Sequence, residues 1–458
     1  MKRRSVFRGG ALAVLVTCVA SAASAQQVGT AESGAATGDG AAPFYNPAAM
    51  ALGDSLIELN LGGTFANLRF DPAGPIGATE TTAVSPQITL GAYTDVLHET
   101  LRIGLTAGLP VISGGSWDDG DGGAGAITRY YLRDARLIHA GAALGLSWTP
   151  VPWLSFGASV LGVYGSTTSE FDKDFGAELN NMSGCSYERD DCLFPYADPL
   201  FAAPVDLSTS GFGVGGIFGV MVQPLPNLEI GFSFQTPVKI NTPGTIEVEY
   251  PDSLIDAVNQ LLPSAELPPL TADIESSMDL PMALNAGVVY RPIPPLELSF
   301  YYRWDQQSDA PFWRVRITQT SSPSIQDTGK AQGYENRHLA RLRVGYAVIE
   351  TLRLSLYGAY QTNTVPDLTT SPNNLDFARI ELGLTARWRV SERIGLFLQY
   401  SHLILRTRNV TQSLLRPTVD IAFADFNRPS PVGEWSGSAN GIRLGMSVHF
   451  DRPNAPGS

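Results

Sequence analysis

The stretch LELSFYYRW, residues 296–304, alternates with period two: Leu296, Leu298, Phe300, Tyr302 and Trp304 fall on one face, and Glu297, Ser299, Tyr301 and Arg303 on the other. Period two is the side-chain repeat of a β-strand. RLSLYGAY (353–360) shows the same repeat, and in ARIELGLTARW (378–388) Ile380, Leu382, Leu384 and Trp388 oppose Arg379, Glu381, Thr385 and Arg387. An apolar face backed by a charged one fits two architectures. In a soluble sandwich the apolar face is the core. In a membrane barrel it faces lipid, and the polar face lines a lumen.

The connections separate these two. TPVPW (149–153), QPLPN (223–227), RPIPP (291–295), IET (349–351) and VSER (390–393) are tight turns. They alternate with long polar or Pro/Gly-rich loops near 71–80, 112–135, 167–209, 243–277, 309–336, 363–376 and 409–436. Short turns at one end and long loops at the other is the layout of an outer-membrane barrel. About fourteen strands are predicted, near 55–70, 81–95, 100–111, 136–149, 152–166, 210–223, 227–242, 278–291, 295–308, 337–348, 351–362, 377–390, 393–408 and 437–450. The number is even, as bacterial barrels require. Trp148, Trp153, Tyr290 and Trp388 stand at the turn-side strand ends, where an interfacial aromatic girdle belongs.

The beginning of the chain supports export. Lys2, Arg3, Arg4 and Arg8 precede an apolar run, Ala11–Ala20, that is too short to span a bilayer, and Ala23-Ser24-Ala25 is a small-residue cleavage site. Residues 1–25 therefore read as a signal peptide, with an uncleaved anchor or a lipoprotein site at Cys18 as the alternatives. The leader holds four basic residues and no acidic one, so its removal takes the formal charge from −13 to −17. A mature chain that acidic argues against nucleic acid as a partner. Cys185 and Cys192 lie in the polar segment SGCSYERDDCLF. A disulfide suits an oxidising compartment, and a metal site is the other reading.

Residues 26–53 show no alternation. They contain a small-residue lead, GAATGDGAA, and then FYNPAAM (44–50). A lumen of this size must be filled or must conduct, and a short segment folded inside would serve as a plug. GAATGDGAAPFYNPAAMALG resembles the N-terminal hatch signature of the FadL-type outer-membrane transporters of long-chain fatty acids and other hydrophobic compounds. The resemblance continues through LRIGLTAGLPVISGGSW, GGIFGVMVQPLPNLEIGFSFQTPVKINTPG, LPMALNAGVVYRPIPPLELSFYYRW and RLRVGYAVIETLRLSLYGAYQTNTVPD to the final strand. It departs at the end: DRPNAPGS (451–458) follows Phe450, where such chains commonly stop, which bears on how the barrel-assembly machinery reads the C-terminus.

The resemblance implies a route for a hydrophobic molecule: capture among the outer loops, a site beside the hatch, and lateral exit into the membrane at a kinked third strand. Leu254, Ile255, Val258, Leu261 and Leu262 form a helical stripe in one long loop, and Phe194 lies in another. They form either a capture groove or a small loop core. Phe44, Tyr45, Pro47 and Met50 would line the inner site, with Asn46-Pro47 fixing a turn, or they anchor the plug. Arg303, Arg341, Arg343, Arg353, Arg379 and Arg387 point inward by alternation; each is a carboxylate-headgroup candidate or a partner of lumen acids such as Glu297 and Glu381. Gly108 and Pro110 interrupt the third strand, unless Pro110 merely ends it.

The five histidines offer no nucleophile pairing, and Ser401 and His402 point to opposite faces of a strand. No nucleotide, metal or cofactor motif is present. The expected protein is a monomeric barrel embedded in outer-membrane lipid, with residues 54–450 as the wall and loops. It would pass a hydrophobic small molecule inward by diffusion. A general porin is the alternative, and a lipid hydrolase or an adhesin stands behind it.

Overall fold

The alternation in 296–304 sorts as a barrel requires. Leu298 and Phe300 are 37% and 41% exposed, while Glu297, Tyr301 and Arg303 are at 4%, 6% and 3%. The apolar face is outside and the charged face is inside, the reverse of a soluble core.

The computed structural model describes residues 28–73, 77–97, 100–117, 128–182, 185, 192, 194, 198–261, 270–309, 312–320, 328–331, 333–414 and 430–450. The leader read over 1–25 and the tail 451–458 lie outside them. The strands in chain order are β1 (Leu56–Pro72), β2 (Thr79–Leu97), β3 (Leu101–Ser116), β4 (Asp134–Val151), β5 (Leu154–Asp174), β6 (Ala202–Leu225) and β7 (Leu228–Gln235). Next come β8 (Asn241–Val248), β9 (Leu270–Ser277), β10 (Ala283–Ile293), β11 (Leu296–Asp305), β12 (Phe312–Thr320) and β13 (Thr328–Ala331). The last are β14 (Arg337–Ile349), β15 (Leu352–Gln361), β16 (Arg379–Arg389), β17 (Ile394–Leu405), β18 (Arg408–Val410) and β19 (Gly433–His449).

Fourteen of these form the wall: β1–β7, β10, β11, β14–β17 and β19. Each pairs antiparallel with its neighbours, and β1 pairs with β19 from Leu56↔His449 to Pro72↔Gly433, which closes the sheet. Closure follows from the solvent. Lipid offers backbone N–H and C=O groups no partner, so a spanning sheet can have no free edge. The tight turns lie at one end, in hairpins such as Val151↔Leu154, Leu225↔Leu228 and Ile349↔Leu352. Beside them Trp148, Trp153 and Trp388 are half exposed, as the girdle reading expects.

Five strands, β8, β9, β12, β13 and β18, lie wholly or largely in segments that read as long loops and extend the sheet beyond the long-loop end. β8 and β9 alternate too, burying Ile246, Val248, Leu270, Ala272 and Ile274 in one apolar cluster, but the Pro, Gly and polar residues of 243–277 masked them. β8 continues the ladder of β6 through Val205↔Val248 to Thr209↔Gly244. The helix Asp252–Leu261 packs on this extension, with Leu254 and Val258 buried in one cluster with Phe194, Phe201, Leu207 and Ile246. Cys185 and Cys192 form a disulfide, with Cα atoms 5.7 Å apart.

Two departures from the regular wall matter for the site. β7 stops at Gln235, short of the expected 242, because Pro237 cannot donate to a ladder. The chain then crosses the inner face of β6, where a methyl on Gly213 would meet the Lys239 carbonyl and the Ile240 and Val238 side chains. The second departure is in β3, which runs on to Ser116, so Pro110 lies within the strand. Gly108 pairs with Gly141 and Val111 with His139, so Leu109 and Pro110 oppose the single residue Ala140. On the other side Thr89↔Gly108 is followed by Val84↔Gly114, with no pairs between. This is a bulge of one extra residue, with the β2–β3 ladder interrupted beside it.

Candidate functional site

Residues 28–53 fold as two short helical turns, Ala42–Tyr45 and the 3-10 turn Pro47–Leu52, joined at Asn46. Pro43 is the second residue of the first turn and Pro47 begins the second, positions where a missing N–H costs nothing. Asn46 is fully buried. Its Oδ1 accepts from the Ala48 N–H at 3.1 Å, capping the second turn, while its Nδ2 donates to the Ala35 carbonyl at 2.6 Å and the Val220 carbonyl at 3.1 Å. One side chain thus ties the segment to itself and to β6.

Other backbone groups of the segment bond to side chains on the buried face of the wall. The Gly29 carbonyl accepts from Arg443 at 2.7 Å, Gly38 from the Tyr93 hydroxyl at 2.7 Å, Gly40 from Thr106 at 2.7 Å and Pro43 from Ser159 at 2.8 Å. Ser33, Tyr45 and Met50 carbonyls accept from Arg341, Ser233 and Arg102. The Gly29 N–H donates to Thr89 Oγ1 at 3.0 Å and the Ala31 N–H to Gln399 Oε1 at 2.9 Å. These partners come from strands all around the wall, and they supply what a buried irregular backbone requires. Close approach needs wall positions without side chains: at Gly219 a methyl would overlap the Asn46 amide, and at Gly231 the Ala35 carbonyl.

The buried face has two characters. Phe44 and Tyr45 belong to an apolar cluster with Leu137, Leu161, Val163, Ile217, Ile240 and Met278. Phe44 meets Tyr45 edge-on at 5.8 Å, and Tyr45 meets Tyr301 at 5.9 Å. Met50 packs elsewhere, with Tyr93, Met221 and Val289, so the structure divides the FYNPAAM motif between two clusters. Pro47 lies with Asn46 against Gly219. On the other side β11 and β14–β16 turn buried Glu297, Arg303, Arg341, Arg343, Arg379 and Glu381 inward.

Each arginine of that side has a partner on the chain. Arg303 pairs with Asp305 at 2.8 Å, Arg343 with Glu297 at 2.6 Å and Arg353 with Glu297 at 2.7 Å. Arg379 donates to Gln361 at 3.0 Å. Arg341 binds the Ser33 carbonyl and lies 5.0 Å over the Tyr301 ring. Arg387 pairs with Glu32 at 3.0 Å. In the outer loops Leu254, Val258 and Phe194 are brought together but at 0%, 2% and 4% exposure, so they face no open groove here. Leu261 ends the same helix.

Residues outside the expected set also belong to the site. Tyr301 and Glu32 contact the motif or the arginines; Tyr301 was legible as an inward aromatic on a charged face, Glu32 only as an acid just before the small-residue lead. His139, Ile240 and Met278 join through tertiary contacts that no local pattern announces.

Two acids in the segment have displaced affinities for protons. Glu32 is held down to about 2: burial works to raise it, but Arg387 and Arg343 outweigh that. Asp39 is pushed up to about 7 from an ordinary 3.8, by burial and then by the Glu58 carboxylate, against hydrogen bonds from Ser33 Oγ and the Ala41 N–H. Because the folded value of Asp39 is the higher one, its contribution to seating is complete below pH ~4 and fades as pH rises through about 7. Amide hydrogen exchange in residues 29–53 should therefore speed up, relative to wall strands, between pH 5 and 8 after correction for intrinsic rates. Asp39→Asn should flatten that dependence; an equal dependence in the variant would mean another group controls it.

Comparison with known proteins places these features in a family. Residues 14–422 match the family model described as outer membrane protein transport protein (OMPP1/FadL/TodX). A FadL homologue from Pseudomonas aeruginosa has the same fold, with a TM-score of 0.74 at 16% identity over 96% of this chain and 99% of that one. The toluene transporter TodX of P. putida gives 0.63 at 16% identity, covering 90% and 95%. The toluene transporter TbuX of Ralstonia pickettii gives 0.59 at 14%, covering 92% and 96%. No curated protein matches the sequence. The chain belongs to the OMPP1/FadL/TodX family of outer-membrane transport proteins, which carry hydrophobic compounds and are not enzymes.

Proposed function

We propose that residues 28–53 are a hatch closing the lumen, and that a hydrophobic molecule reaches the apolar cluster at Phe44 and Tyr45 and leaves sideways at the β3 bulge. The observation that carries this is the position of the hatch against the bulge. Gly29 bonds to Thr89, the residue at which the β2–β3 ladder resumes opposite Gly108, and Gly40 bonds to Thr106 two residues away. A shift of the hatch frees the inner side of the wall where its pairing is already interrupted. Passage is by diffusion through a monomer. Two of the named relatives are toluene transporters, and an apolar lining accepts aromatic or aliphatic cargo.

The six arginines read best as clasps of wall and hatch, since each is engaged on the chain. Capture by the loop cluster of Leu254, Val258 and Phe194 requires that cluster to open, since all three are buried.

Deleting Pro110 removes the extra residue and should restore pairing across β2–β3–β4. Binding of a fluorescent long-chain fatty acid, competed by oleate or toluene, should stay within about threefold of wild type. Uptake into proteoliposomes should fall at least about tenfold. Unchanged uptake would remove the bulge from the route. No saturable binding by wild type, together with large steady conductance, would favour an aqueous porin.

A further inference from the structure

His139 of β4, Gly165 of β5 and Gly211 of β6 stand in one row across the inner face of the wall. With no side chain at Gly165, the imidazole leans across the row. A methyl at Gly165 would lie 3.4 Å from His139 Cδ2, 3.6 Å from its Nε2 and 3.6 Å from Ile240 Cγ2. Gly211 is covered by the Asn241 carbonyl, and Thr242 Cγ2 lies 3.2 Å from where a methyl there would sit. The imidazole, Ile240 and Thr242 are thus neighbours beside the apolar compartment. His139 is 9% exposed and Thr242 is at 0%. Both ring nitrogens of His139 and the Oγ1 of Thr242 lack any hydrogen-bond partner. Buried polar groups are in general hydrogen-bonded. Other unmet atoms among the described residues, such as Asn60 Oδ1, Gln87 Oε1 and Ser169 Oγ, lie elsewhere on the wall, whereas these three lie beside the apolar cluster.

We infer that His139 and Thr242 are the polar end of a ligand site in this compartment, and that its ligand is a hydrophobic body carrying a hydroxyl group, an alcohol or a phenol. Neutral imidazole offers one donor and one acceptor, and the threonine hydroxyl offers either. A ligand hydroxyl also donates and accepts, so it answers both. A carboxylate would need a cation, and the arginines of the lumen bind acids, the hatch or Gln361 instead. A bare hydrocarbon would leave the three atoms as they are. The apolar body of the ligand would rest against Leu137, Val163, Ile240 and Phe44. The inference depends on the lumen being the path of a hydrophobic molecule, as proposed above.

The test is a fluorescence titration of the full chain in detergent with 1-naphthol and with naphthalene, each against a detergent blank. Wild type should bind 1-naphthol about tenfold more tightly than naphthalene. His139→Leu should bind both at the affinity of naphthalene, while His139→Gln, which keeps a donor and an acceptor, should retain most of the preference. Thr242→Val should lose part of it, and it carries the test if His139→Leu fails to give the heat-modifiable gel band of a folded barrel. Equal binding of both probes by wild type, or a preference that survives in His139→Leu and Thr242→Val, overturns the hydroxyl assignment and leaves the hydrophobic path standing. Wild type that binds neither probe overturns both.

Discussion

Gly231→Val is expected to turn a closed barrel into a conducting one. Gly231 is on the inner face of β7, where a first side-chain carbon would overlap the Ala35 carbonyl and come within 3.0 Å of Asn46 Nδ2. Neither can retreat easily, because they bond to each other at 2.6 Å and Asn46 is also held by Val220. The wall cannot yield either, since β7 is paired along its length with β6 and β10. The strain therefore falls on the hatch. Overpacking costs about 1–3 kcal/mol, and a β-branched side chain against backbone belongs at ~3 kcal/mol, roughly a hundredfold in the ratio of seated to unseated hatch. Planar-bilayer recordings should show a steady ionic conductance that wild type lacks. Gly63→Val is the control, because a methyl there meets nothing closer than 3.5 Å. A Gly231→Val protein as closed as wild type would mean that this seat does not close the lumen.

The second large effect is expected at Glu32. Its carboxylate accepts from Arg387 at 3.0 Å and Thr385 at 2.7 Å, and lies 3.7 Å from Arg343. Arg343 keeps Glu297 when Glu32 is removed, but Arg387 loses its partner. Breaking a buried pair costs about 3–5 kcal/mol. The Arg387 side chain is 34% exposed and regains some water, so ~2–3 kcal/mol is the expected loss. Glu32→Ala should then accelerate hydrogen exchange in residues 29–45 by roughly thirty- to a hundredfold. Glu32→Gln should have a smaller effect, since it can keep the Thr385 bond. High salt should change the difference little, because a buried pair is poorly screened. Exchange at the wild-type rate in Glu32→Ala would show that the pair does not hold the hatch.

The parts of this molecule that were legible from its sequence share one physical origin. In a strand between lipid and lumen, every second residue meets a different solvent. The solvents impose their contrast directly on the chain, and 296–304, 353–360 and 378–388 all carry it. At the long-loop end the reading failed: β8, β9, β12, β13 and β18 were read as loops because Pro, Gly and polar residues interrupt these segments, although β8 and β9 still bury an apolar face, and β7 was drawn past Pro237. At β3, Gly108 and Pro110 marked an irregularity, but only the pairing of both neighbours showed that the strand continues and holds one extra residue. The motif FYNPAAM was visible as a foreign element among the strands. That Asn46 joins its two turns to β6, and that Met50 leaves Phe44 and Tyr45 for another cluster, depends on groups far away in the chain.

By itself, then, the sequence determined the closed antiparallel wall, its fourteen-strand size, the sense of its two faces and the separate status of its N-terminal segment, because local alternation and turn length are imposed by lipid, lumen and water on each strand independently. Only the tertiary structure decided which arginine meets which acid, which glycines receive the N-terminal segment, and that His139 and Thr242 lie over the paired glycines Gly165 and Gly211. Those outcomes depend on the register between strands, such as His139↔Gly165↔Gly211, and register is a property of pairs of segments that neither segment carries alone.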